Sequence, residues 1–172
     1  MPIYFRRKDI RLGAEAYQGR HLYFLTLCFH RRRKFGSSAR VSRWLIRELR
    51  QRSTETGFAV HAYCVMPDHV HVLALGTGDG SDLRAFVGQF KQETGFAFRS
   101  RVGRELWQFK YYDHIVRSEE SASRVAAYIW MNPVRKKLCV KPQDYAFSGS
   151  LTDFGSKMFR SVGASDWIPP WK

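Results

Sequence analysis

The chain has 172 residues, enough for one domain with a real core and too few for two comfortable ones. Apolar residues make up 44%, which excludes a disordered or collagen-like chain, and no apolar run approaches the ~18–20 residues of a membrane helix. Twenty-nine Lys and Arg against fifteen Asp and Glu give a net charge of +14, which favours a polyanionic partner.

The positive excess is uneven. Residues 1–50 hold 13 basic and 3 acidic side chains, and the rest hold 16 and 12. Nucleic acid is the leading partner. A membrane surface is less favoured, because no basic amphipathic helix stands out. Cys28, Cys64 and Cys139 form neither a disulfide framework nor a metal knuckle. With charges following the first apolar residues and no signal-like apolar stretch, they suggest a reducing, cytoplasmic setting.

Residues 1–20 read as a basic arm, carrying Arg6, Arg7 and Lys8 and ending in a short strand. His21 to Phe29 is a short aromatic and apolar run, a buried strand. The basic loop Arg31-Arg32-Arg33-Lys34 follows. Val41, Trp44, Leu45 and Leu49 recur at helical steps from Ser38 to about Thr56, and Gly57 stops that helix. Phe58 to Met66 and His69 to Leu75 form a hairpin around the turn signal Pro67-Asp68. After a Gly-rich loop, Ser81 or Asp82 caps a helix that buries Leu83, Phe86, Val87 and Phe90. The stretch 107–117 contains a fourth strand. Ser118-Glu119-Glu120 opens a third helix, which Pro133 should end or kink. Residues 139–172 declare no regular pattern and read as a tail packing on the domain.

This order predicts an α+β fold with the ferredoxin-like (RRM-like) topology: an antiparallel sheet with helices on one face, and a further helix after the fourth strand. The expected organisation is an arm over 1–20, a domain over 21–138 and a tail over 139–172.

Two constellations carry chemistry. In His69-Val70-His71 the two imidazoles point to one face of a strand, with Leu73, while Val70, Val72 and Ala74 point to the other. They could share a metal ion, or simply lie on a solvated face. Tyr128 and Asn132 share one face of a helix. Alone, they read as an amphipathic tyrosine and a helix-ending residue. Together with the histidines they suggest a site: an amide oxygen as third ligand, a hard cation such as Mg²⁺ or Mn²⁺ holding a phosphate, and a phenol able to attack it. His114 stands either as a structural histidine beside Tyr112, the reading the residues favour, or as a contact to a ligand or phosphate.

Met66-Pro67-Asp68-His69-Val70-His71 resembles the HUH motif of single-strand DNA nucleases. Tyr128-Ile129-Trp130-Met131-Asn132-Pro133-Val134 resembles the catalytic helix of their single-tyrosine branch, and Trp107, Tyr112 to Arg117 and Asp144 to Ser148 fit the same group. The resemblance is to REP-associated tyrosine transposases, over about residues 20–150. It implies Tyr128 as a nucleophile forming a 5′-phosphotyrosine, with Mg²⁺ or Mn²⁺ at His69, His71 and Asn132. Asn132 stands where insertion-sequence relatives carry Gln, one methylene longer. The implied partner is a single-stranded DNA hairpin in a bacterial, nucleoid-associated setting, with the protein a monomer or homodimer. Arg6, Arg7, Lys8, Arg31, Arg32 and Arg33 are the first candidates for DNA contact. Arg135, Lys136 and Lys137, just past the catalytic helix, could flank the cleaved strand. The alternative is a protein that grips a nucleic-acid hairpin on its sheet without cutting.

Overall fold

The computed structural model describes residues 13–117 and 119–163. Arg6, Arg7 and Lys8 of the basic arm lie outside these, as does the end of the tail. The described part of the arm is a 3₁₀ turn, Ala14–Tyr17, rather than a strand. Tyr23 fixes it by donating its hydroxyl to the Ala16 carbonyl at 2.9 Å.

Five strands form one antiparallel sheet in the order β4-β1-β3-β2-β5. They are β1 (Leu22–Cys28), β2 (Phe58–Val65), β3 (His69–Gly76), β4 (Tyr112–Val116) and β5 (Ser148–Gly149). The first four give the ferredoxin-like arrangement. In α1 (Ala39–Glu55) the Ser38 hydroxyl caps the Val41 N–H, and Leu45 and Leu49 reach the core. Gly57, at φ +71°, turns the chain back into β2. In α2 (Leu83–Val102) the capping residue is Asp82, which accepts from the N–H groups of Arg84 and Ala85.

The helices do not keep to one face. Helices α1 and α2 cover the face that carries Tyr23, Leu25, Val70 and Val72. Helix α3 (Glu119–Arg135) covers the opposite face, burying Val125, Ala126, Ile129 and Trp130 against Phe24, Ala62, Cys64 and Leu73. The sheet therefore needs apolar residues on both sides, and β1 and β3 read as near-continuous apolar runs for that reason.

Pro133 neither ends nor breaks α3 at its own position. It sits in the last turn, where only one backbone donor is lost, and the helix runs on to Arg135. The chain after it is also more regular than its composition suggests. It makes β5 and a fourth helix, α4 (Asp153–Ser161). Trp130 ties this region to the core by donating its indole N–H to the Gly149 carbonyl at 2.9 Å. No described helix is long and apolar enough to cross a membrane.

Candidate active site

The pleat of β3 puts His69 and His71 on the α3 face, as the alternation predicts, and both are buried. Their Nε2 atoms are 3.0 Å apart. Each ring is held through its other nitrogen. His69 Nδ1 lies 2.6 Å from Asp68 Oδ1. His71 Nδ1 lies 2.9 Å from the hydroxyl of Thr26, its register partner on β1. With Nδ1 occupied on both rings, both Nε2 atoms converge on one point.

That spacing fits a shared cation. Two ligand atoms about 2.1 Å from one ion and at right angles to each other are about 3.0 Å apart. Oriented Nδ1 partners are the usual support of metal-binding histidines. Asn132 is also buried, and its amide nitrogen donates to the Tyr128 carbonyl at 3.0 Å, so the amide oxygen is the atom that could serve as a ligand. Among the described residues no three His, Cys, Asp or Glu side chains cluster as a ligand set. A cation at this pair would complete its shell with neutral oxygens and with its substrate.

Tyr128 is brought to the same place by the opposite layer. Its ring packs edge-on to Phe24 at 5.9 Å and lies 5.8 Å from the His71 ring, centroid to centroid. The Arg135 guanidinium sits 4.9 Å over the Tyr128 ring. Arg135 thus belongs to the last turn of α3 and to the tyrosine's own surroundings, rather than to the segment beyond the helix. Lys136 and Lys137 are the exposed residues that follow.

Electrostatics agree with this arrangement. Burial, with His69 beside it, pushes the His71 pKa well below the usual imidazole value. A neutral ring keeps the lone pair that a metal requires. The hydrogen bond from His69 holds the Asp68 carboxyl down to about 2, with Arg32 adding to it. Arg32 Nε is 3.4 Å from Asp68 Oδ2, and its Nη1 donates to the Cys28 sulfur at 3.0 Å. Arg32 and Arg31 both adopt left-handed backbone, φ 56° and 53°, in the turn after β1. Such conformations are held only where surrounding structure over-determines them. Arg31, Arg32 and Arg33 are all exposed at this end of the sheet, so the predicted basic loop adjoins the histidine pair.

His114 lies opposite Phe24 on β4, on the same face, and is exposed; partial desolvation of its ring and the nearby Arg117 lower its pKa. Sequence reasoning passed over Asp68 and Thr26. Asp68 could have been read from its position beside His69. Thr26 has no such signal, because it reaches His71 only through the pairing of β1 with β3.

Known proteins place the chain in a family. The profile of the family described as "Transposase IS200 like" matches residues 18–132. A REP-associated tyrosine transposase of Escherichia coli K12 is 26% identical over 114 residues, covering 64% of this chain and 62% of its own length. A Haemophilus influenzae protein, provisionally given the same description, is 24% identical over 157 residues, covering 85% and 86%. A solved structure of a REP-associated tyrosine transposase bound to a REP hairpin superposes with a TM-score of 0.68 at 20% identity, covering 98% of this chain and 92% of that one. This likeness carries the fold, and the family profile, spanning most of the domain, carries the descent. The chain belongs to the IS200-like transposase family, and within it is similar to the REP-associated tyrosine transposases.

Proposed function

We propose that this protein is a metal-dependent endonuclease and strand-transferase acting on single-stranded DNA beside REP-type hairpins, through a covalent 5′-phosphotyrosine. The observation that carries the reading is the convergence of two buried imidazole nitrogens, 3.0 Å apart, with a tyrosine ring 5.8 Å from one of them.

His69, His71 and the Asn132 amide oxygen would hold Mg²⁺ or Mn²⁺. The bound ion supplies charge neutralisation at a scissile phosphate. Asp68 and Thr26 orient the two imidazoles. Phe24 and Arg135 fix the Tyr128 ring, and the guanidinium offsets negative charge developing on the phenolic oxygen. That oxygen forms a bond to phosphorus as the P–O3′ bond breaks. The phenol loses its proton and the departing 3′ oxygen gains one. The products are a 5′-phosphotyrosine and a free 3′-hydroxyl. Attack by a 3′-hydroxyl reverses the step and rejoins strands without water.

The rival reading, a hairpin-binding protein that offers its sheet to bases as an RRM does, meets an obstacle. The sheet face opposite α1 and α2 is covered by α3. The test is incubation of wild type and Tyr128→Phe with labelled hairpin-containing single-stranded DNA and Mn²⁺, followed by denaturation. A denaturation-resistant adduct with wild type alone supports the reading. Tight binding by both proteins with no adduct would replace it with the non-cleaving binder.

A further inference from the structure

A second feature of the α3 face lies beyond the histidines. A cleft of about 830 Å³ opens between α3 and α4 over the sheet. Its floor is apolar, formed by Leu22, Leu73, Leu75 and Val116. Small side chains of α3, Ala122 and Ala126 among them, line one wall. Phe154 and Met158 of α4 line the other. The volume is in the range of sites that enclose a small organic group.

The walls are anchored. Thr152 caps α4 by accepting from the Gly155 N–H, and its hydroxyl lies 3.0 Å from His61 Nδ1. Gly155 packs so closely on the His61 carbonyl and Ser150 that any Cβ there would collide with them. At the other end of α4, Gln143 donates to the carbonyls of Phe159 and Val162 at 2.7 and 2.9 Å. Held in this way, Phe154 stays 64% exposed at the mouth of the cleft, edge-on to His61 at 5.9 Å.

The mouth is cationic. Arg20 and Arg117 line it, and none of the described lining residues is acidic. The ion pair of Arg20 with Asp79 spans 4.0 Å between two exposed side chains, so it competes weakly with a phosphate. The cleft lies on the same face of the sheet as the histidine pair, with Leu73 two residues from His71 on that face of β3.

We infer that this cleft is a subsite for an unpaired base of the substrate strand, stacked on Phe154 over the apolar floor with its flanking phosphates on Arg20 and Arg117. An aromatic platform beside a cationic track is the usual means of holding single strands. The inference rests on the strand-transferase reading for its substrate, but not on the chemistry of Tyr128.

The test uses full-length protein and hairpin-bearing single-stranded oligonucleotides with 2-aminopurine placed at each position flanking the stem in turn. Wild type should change the fluorescence at one position. Phe154→Ala should abolish that change and weaken binding about 5- to 150-fold. Arg117→Gln should reduce the salt dependence of log K by about 0.7. Ala122→Phe, which fills the cleft from α3, should act like Phe154→Ala, with far-UV circular dichroism reporting its fold. No responsive position, or unweakened binding by both Phe154→Ala and folded Ala122→Phe, would overturn the subsite. Adduct formation is scored on the same wild-type samples. An adduct without a responsive base overturns the cleft alone. A responsive base without an adduct leaves the cleft standing and removes the strand-transfer chemistry.

Discussion

Replacing Asp68 by Asn keeps the shape of the side chain and removes its charge. The carboxylate accepts from His69 at 2.6 Å, a short charge-assisted bond, and Arg32 approaches its other oxygen at 3.4 Å. A hydrogen bond to a charged group contributes about 1.5–3 kcal/mol and a neutral one about 0.5–1.5. The loss is thus about 1–1.5 kcal/mol before screening. The Asp68 side chain is 32% exposed, which trims it to about 1 kcal/mol. That is about a fivefold loss of metal affinity. Asp68→Ala also frees the His69 ring to rotate, and loss of such an orienting group costs about 10–100-fold. Titration of Mn²⁺ into DNA-free protein, followed by electron paramagnetic resonance of the free ion, measures both. Affinity should fall in the order wild type, Asn, Ala. If folded Asp68→Ala bound Mn²⁺ as tightly as wild type, the orienting role and the metal assignment of His69 would both fail.

Thr26→Val removes the hydroxyl beside His71 Nδ1 at nearly constant shape, and should weaken Mn²⁺ binding about 2- to 10-fold in the same titration. Unchanged affinity would mean that the β1 partner does not fix the ring. Gly36→Ala places a Cβ on the Met66 carbonyl, in the turn that leads into His69, and backbone cannot yield there as a side-chain tip could. The expected cost is about 1–3 kcal/mol, a fall of several degrees in Tm; an unchanged Tm would refute the close approach. His61 is half-buried, and burial lowers its pKa below the ordinary 6.5. The folded state therefore binds fewer protons there than the unfolded one. Its contribution is full above about pH 6.5 and is lost as pH falls toward the folded pKa. The Tm difference between wild type and His61→Gln should be constant above pH 7 and shift against wild type toward pH 5, and a shift the other way would contradict the burial.

The placement of the histidine pair was legible because period-two alternation in a strand is a local rule. His69, His71 and Leu73 share a face whatever the sheet does, and Val70 and Val72 must take the other. Tyr128 and Asn132 were joined by an equally local helical step. What tertiary pairing decides was not legible. Thr26 meets His71 across 45 residues of sequence, and nothing in its own neighbourhood marks it. The two-sided coverage of the sheet was hidden for a related reason. Phe24 and Leu73 look like ordinary members of apolar runs, and only the docking of α3 reveals that they serve a second core. Helix α4 escaped notice because Gly155, Ser156 and Ser161 dilute its apolar pattern. Gly155 is there for its close approach to β2, against its helix propensity.

Helix α3 serves as both scaffold and bearer of the tyrosine. Ile129 and Trp130, the next two residues after Tyr128, are completely buried, and each holds roughly 1.5–3 kcal/mol of apolar burial. A swing of the helix would expose both and break the indole bond to Gly149. Its amides should therefore exchange with deuterium only in the rare openings that unfold the second core, among the slowest in the protein. Under the chemistry proposed above, the phenol would then act as a fixed post, the DNA ends would have to change places around it, and the pace of strand exchange would be set by how quickly nucleotides leave their seats.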